Sequence, residues 1–122
     1  WVAESSFCAE AGYGGKIDLY SESGIFVDFK TKDNLDGKDG SKLVFNEHGM
    51  QLSAYAEGCG FEDPERVSIF VDRKDTGLIV PHRWTKSTHA KHLQMFNSLL
   101  TYWKLFKNYD PSETTVIDER RK

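Results

Sequence analysis

Residues 15–30, GKIDLYSESGIFVDFK, decide the reading of the fold. Two short runs flank a polar turn, Ser21-Glu22-Ser23-Gly24, which is the pattern of a β-hairpin. Strand side chains alternate between the two faces of a sheet. Asp28 and Lys30 therefore share one face of the second strand, and Ile25, Val27 and Phe29 are expected to cover a core on the other. In the first strand Asp18 stands between Ile17 and Leu19 and faces away from that apolar pair. Adjacent strands then bring two carboxylates and one ammonium onto a small patch. That is the composition of a divalent-metal site with a lysine beside it.

Working outward, residues 1–8 (WVAESSFC) read as a strand and residues 11–15 as a glycine-rich turn. A phosphate-binding loop is excluded there because another strand follows, not a helix. Residues 31–42 (TKDNLDGKDGSK) form a polar loop whose aspartates lack the spacing and terminal glutamate of a calcium loop. Residues 45–57 are expected to be a helix ended by Gly58, with Met50, Leu52, Ala54 and Ala56 on its apolar side. Gln51 and Tyr55, four residues apart, stack on one side of it. A second hairpin pairs residues 67–72 with 78–84 around an Asp-Thr-Gly tip, and Pro81 argues that the last strand lies at a sheet edge or bulges there. Residues 85–108 form the longest helix, capped by Ser87 or Thr88 and stopped by Pro111. Its apolar stripe of Leu93, Phe96, Leu99, Leu100, Trp103 and Phe106 is expected to face the core. His89 and His92 read as surface residues of this helix. His48 reads as a helix-start residue or a phosphate contact.

At 122 residues the chain holds one domain, residues 1–110, followed by a polar tail, 111–122. Its net charge of -3 lacks the broad basic balance of a protein that holds nucleic acid by charge alone. Lys32, Lys38, Lys42, Arg73 and Lys74 are the local cations that could line a path for a nucleic-acid backbone. No apolar run approaches the roughly 18–20 residues of a membrane span, so no membrane association is expected. Cys8 and Cys59 are too few for a disulfide scaffold or a four-cysteine metal site. Two free and largely buried thiols in a reducing, intracellular compartment (cytoplasm or organelle) are expected.

Three short motifs come in order: Gly15-Lys16-Ile17-Asp18, Asp28-Phe29-Lys30, and Gln51-Leu52-Ser53-Ala54-Tyr55. Together they resemble the PD-(D/E)XK nuclease superfamily, in particular its RecB-like exonuclease branch, where a G-x-φ-D strand, a D-x-K strand followed by Thr, and a Q-x-x-x-Y helix occur with similar gaps. The resemblance runs from about Glu4 to Tyr55. It implies an α/β fold with a central mixed sheet flanked by helices, a restriction-endonuclease-like core. It also implies Asp18, Asp28 and the backbone carbonyl of Phe29 as ligands of Mg²⁺ or Mn²⁺, and Lys30 as the residue that orients or activates water and counters phosphate charge. Gln51 would support that lysine or the substrate, Tyr55 would pack behind it or touch the nucleic-acid backbone, and Glu4 would be a supporting or additional ligand. The branch places a helix before its first strand. This chain begins at the strand, so the helix is expected to be missing, supplied by another subunit or dispensed with.

The expected architecture is a mixed sheet with a meander of three strands and a helix on each side. The expected function is metal-dependent hydrolysis of DNA, as an exonuclease on single-stranded or end-exposed substrate. Two other readings compete. One is a structure-specific endonuclease acting as a homo-oligomer through the long helix. The other is a non-catalytic binding or assembly module on the same scaffold, disfavoured by the intact Asp18, Asp28 and Lys30.

Overall fold

The computed structural model describes residues 1–108, apart from Asn34, Lys38, Thr76 and the side chain of Lys42. The expected stop at Pro111, the tail 111–122, Lys38, the Lys42 side chain and Thr76 at the hairpin tip lie outside the described residues. The elements are β1 (Val2–Ala9), β2 (Tyr13–Tyr20), β3 (Ile25–Lys32), α1 (Asn46–Gly58), β4 (Glu65–Asp72), β5 (Ile79–Trp84) and α2 (His89–Lys107). Single 3₁₀ turns at Gly40–Lys42 and Lys86–Thr88 precede the two helices.

The sheet runs β1-β2-β3-β4-β5, with β3 and β4 parallel and every other pair antiparallel. Parallel neighbours need a long crossover, and α1 supplies it. This is the α/β architecture with a mixed sheet that the sequence pattern suggests. Pro81 lies on β5, an edge strand as expected, where a residue without N–H breaks no ladder on the open side.

Both helices lie on one face of this sheet, not one on each side. Phe26 of β3, Arg66 of β4 and Trp84 of β5 are register partners and so share a face. The Arg66 guanidinium reaches α1 at Gly49 and Ser53, and α2 at His92. α1 lies on the strands and α2 packs against α1.

The main core is Ile17, Phe26, Leu52 and Ala56, ringed by Phe7, Tyr20, Tyr55, Cys59, Phe61 and Trp84. It is Phe26, not the expected Ile25, Val27 and Phe29 set, that meets the helices; Val27 is buried but Phe29 is exposed on the other face. By alternation Asp28 and Lys30 then lie on the helix-covered face with Phe26. A smaller cluster of Leu35, Leu43 and Phe70 fixes the loop after β3. Asp72 holds that loop from beneath. Its carboxylate accepts the Leu35 amide at 3.0 Å and the Lys74 and Asp75 amides at 2.9 and 3.1 Å. Those backbone donors, Leu35 first, hold its pKa below the ordinary value.

α1 ends at Gly58, as expected, and the turn beyond it is closed by Gly60. Gly60 takes a φ of 84°, its N–H bonds Glu57 O, and the Phe61 N–H bonds Ala56 O, the Schellman closure that favours glycine. Gly58 itself also serves close packing, since a Cβ there would run into the Phe7 ring. Other expectations need correction. On α2 it is His89 and His92 that are buried, whereas Leu99, Trp103 and Phe106 are exposed, so the apolar stripe is covered only in its first half. Cys8 is exposed. Cys59 is half-buried, its thiol pKa raised by that burial.

Candidate metal centre

The site begins with an irregularity in β1 and β2. Their register is regular on both sides of Glu4 and Asp18, but those two do not pair, and Glu4 has a φ of 52°. Ile17 and Tyr20, three residues apart, both pack into the helix-side core. Strict alternation forbids this, so the strand must change faces between them. Asp18 sits at the change.

Released from the ladder, Asp18 reaches across to β3, where its Oδ2 accepts the Phe29 N–H at 2.9 Å. The β2–β3 ladder stops after Leu19↔Val27, and the carboxylate holds the strands together just beyond that point. Asp28 follows on β3, 7% exposed. Its pKa is raised by burial and by the Asp18 carboxylate within hydrogen-bonding reach, with Lys30 pulling the other way. Lys30 Nζ lies 2.9 Å from Asp28 Oδ2. That ion pair is the contact that accompanies the burial of Asp28. Asp18, Asp28, Phe29 and Lys30 are thus one cluster.

Two carboxylates that share one ammonium keep a net negative charge at a partly buried site, and a further cation offsets it. Among the described residues no group of three or more His, Cys, Asp or Glu side chains gathers. The donor set is therefore two hard carboxylates. It suits Mg²⁺ or Mn²⁺, which are held by one or two carboxylates plus water and substrate oxygens, better than a closed zinc cage. The residues present fit the ion.

Glu4 stays outside the cluster, with its exposed carboxylate 3.9 Å from Lys16 Nζ. Gln51 and Tyr55 stack as expected, Gln51 Nε2 donating to Tyr55 Oη at 2.8 Å. They line a cleft of about 400 Å³ together with Tyr13, Glu47, Phe96 and Leu99. The Tyr55 ring explains the glycine of the first motif. A Cβ on Gly15 would stand 2.5 Å from Tyr55 Cε1, so the two motifs interlock. The hydrogen bond that Gln51 makes is with Tyr55 on its own helix, not with the Lys30 ammonium.

His48 stands in the first turn of α1, the helix-start place expected for it, where it accepts the Phe45 N–H on Nδ1 at 3.2 Å and packs against Phe70. Burial, then Lys30 and Lys32, lower its pKa. Composition and periodicity missed Arg66, 1% exposed, whose guanidinium donates to Gly49 O, Ser53 Oγ, His92 Nδ1, Thr85 O and Thr88 Oγ1. Burial brings its pKa down to about 10. The signal available in sequence was an arginine inside an otherwise apolar strand, ERVSIFVD. Of the other local cations, Arg73 pairs loosely with Asp33 at 3.8 Å.

Comparison of the sequence with protein-family models gives no match. Comparison with curated proteins gives none either. No described helix is long and apolar enough to cross a membrane.

Proposed function

We propose that the chain is a metal-dependent nuclease of PD-(D/E)XK type that hydrolyses DNA phosphodiesters, acting on single-stranded or free-ended substrate. One observation carries the reading: two carboxylates, Asp18 and Asp28, meet on β2 and β3 with a single ammonium, Lys30, against them. The motif order and the interlock of Gly15 with Tyr55 support it.

Asp18 and Asp28 would hold Mg²⁺ or Mn²⁺, with the Phe29 carbonyl as a third oxygen. The bound ion supplies Lewis-acid polarisation of the phosphoryl group and favours deprotonation of a bound water. Asp18 has a second task, since its bond to the Phe29 N–H fixes the backbone between the two β3 site residues. Lys30, half-buried against Asp28, is positioned to orient the attacking water and to counter the charge that grows on the phosphate. Asp28 in turn holds the ammonium in place, so removing either partner displaces the other. Gln51 and Tyr55 form the adjoining wall on α1 and help seat the substrate.

The test is digestion of end-labelled single- and double-stranded DNA with Mg²⁺, Mn²⁺ or EDTA, by the native chain and Lys30→Ala. Cleavage that needs the ion and falls by at least about 100-fold in the variant supports the reading. Equal cleavage by both, or cleavage in EDTA, refutes it. Leu99, Tyr102, Leu105 and Phe106 exposed on α2 favour a dimeric endonuclease as the second reading. Sedimentation and an internal-cleavage product pattern separate it from the first.

A further inference from the structure

We infer that Phe45, backed by Lys32, is a base-stacking residue that seats single-stranded nucleic acid next to the Asp18–Asp28–Lys30 cluster. The inference rests on the nuclease reading for the direction in which the strand runs. Phe45 occupies the N-cap position of α1, where small polar side chains are preferred because they cap the helix. It makes no side-chain cap bond; instead His48 takes the backbone N–H. The phenyl ring is 60% exposed, so neither the helix nor the core accounts for it.

Its surroundings fit one ligand chemistry. Lys32 Nζ lies 5.6 Å from the centre of the Phe45 ring. His48 sets its own ring against Phe45 at 5.7 Å and feels both Lys30 and Lys32. Asp28, Lys30 and Lys32 follow one another at two-residue steps along one face of β3. Lys32 thus stands about 13 Å from Asp28, within the reach of a few nucleotides. An aromatic face for a base and a lysine for its phosphate, in line with a cleavage centre, is how single strands are held without regard to sequence. Of the neighbouring acids, Glu47 also lines the Tyr55 cleft and Asp33 pairs loosely with Arg73. A duplex keeps its bases stacked internally and gains nothing from the ring.

The experiment is fluorescence anisotropy in Ca²⁺ at low salt, with a labelled thymidine oligonucleotide, an abasic oligonucleotide of equal length, and a blunt duplex. The native chain is compared with Phe45→Ala, Phe45→Tyr and Lys32→Ala. Phe45→Ala is expected to weaken thymidine binding by about 5- to 150-fold, leaving abasic and duplex binding unchanged. Phe45→Tyr retains the affinity, and Lys32→Ala weakens all three ligands alike. Equal thymidine binding by Phe45→Ala and the native chain overturns the inference, as does an equal loss on the abasic strand. Failure of the native chain to bind the single strand overturns it too. Cleavage in Mg²⁺ is read in parallel on the same samples. Stacking without cleavage refutes the nuclease reading alone, and cleavage without a Phe45 effect refutes this inference alone.

Discussion

Replacing Arg66 by Met should loosen α2 from the rest of the domain. The guanidinium bonds α1, the segment before α2 and α2 itself. Met keeps most of the stem volume, so the change isolates the polar head. Five hydrogen bonds disappear. At about 1 kcal/mol net each they set a ceiling near about 5 kcal/mol. Against this, none of the five partners is a carboxylate, and Arg66 Nε is buried without a partner. Removing so poorly compensated a cation returns on the order of 1–2 kcal/mol. The Ser53 and Thr88 hydroxyls keep other partners in His89 and the Thr85 carbonyl, whereas His92 Nδ1 is left with none in this network. The expected net loss is about 3–4 kcal/mol. Urea unfolding followed by circular dichroism reads it. Amide exchange should show α2 losing protection before the strands, because His89 and His92 are its only buried residues among those described. A loss below about 1 kcal/mol, or α2 exchanging in step with β3 and β4, would refute the account of Arg66 as the tie.

Further expectations concern titration and the carboxylates. His89 and His92 are kept neutral by burial first and Arg66 second, so their folded pKa values lie below the unfolded one. Their stabilisation is whole above about pH 6.5 and is lost as pH falls through the folded values. The slope reaches about 1.4 kcal/mol per pH unit for each histidine. Urea midpoints between pH 8 and 5 should fall accordingly, and His92→Gln should flatten the curve. Asp72, with its lowered pKa, contributes above about pH 4 and fails as pH drops through its folded value. Asp72→Asn should lower the urea midpoint at pH 7 in the same assay and expose the loop at Leu35 to protease. The raised pKa of Asp28 has the opposite sign: its contribution is lost as pH rises through the folded value. In EDTA at pH 7.5, Asp28→Asn should therefore be more stable than the native chain, on the order of 1 kcal/mol by thermal melting.

Much of this architecture was legible because it rests on local pattern. Polar turns and two-residue alternation mark the hairpins, Pro81 marks the edge strand, and the four-residue step from Gln51 to Tyr55 sets their stacking. What stayed hidden depends on contacts between distant residues. In β3 both Phe26 and Val27 are apolar and buried, so alternation alone did not say that the Phe26 face is the one the helices cover, and in β2 alternation fails at Asp18, where the strand changes faces. The histidines of α2 read as surface because nothing in residues 85–95 reveals that a buried arginine on β4 awaits them. The apolar stripe of α2 has correct helical spacing, but the helix is longer than the surface it packs on. Within the candidate site, Asp18, Asp28 and Lys30 gather as their strand positions suggest. Phe45 and His48 belong beside them only through the approach of α1 to β3.

The central claim is that Asp18 and Asp28 hold a divalent cation for cleavage. Titration with Mn²⁺, followed by the paramagnetic resonance of the free ion, tests it most directly in the native chain, Asp18→Asn and Asp28→Asn. The account predicts that the native chain takes up Mn²⁺, that Mg²⁺ competes for the site, and that either substitution lowers affinity by at least about 10-fold. Equal uptake by all three proteins, or none by the native chain at millimolar Mn²⁺, would contradict it.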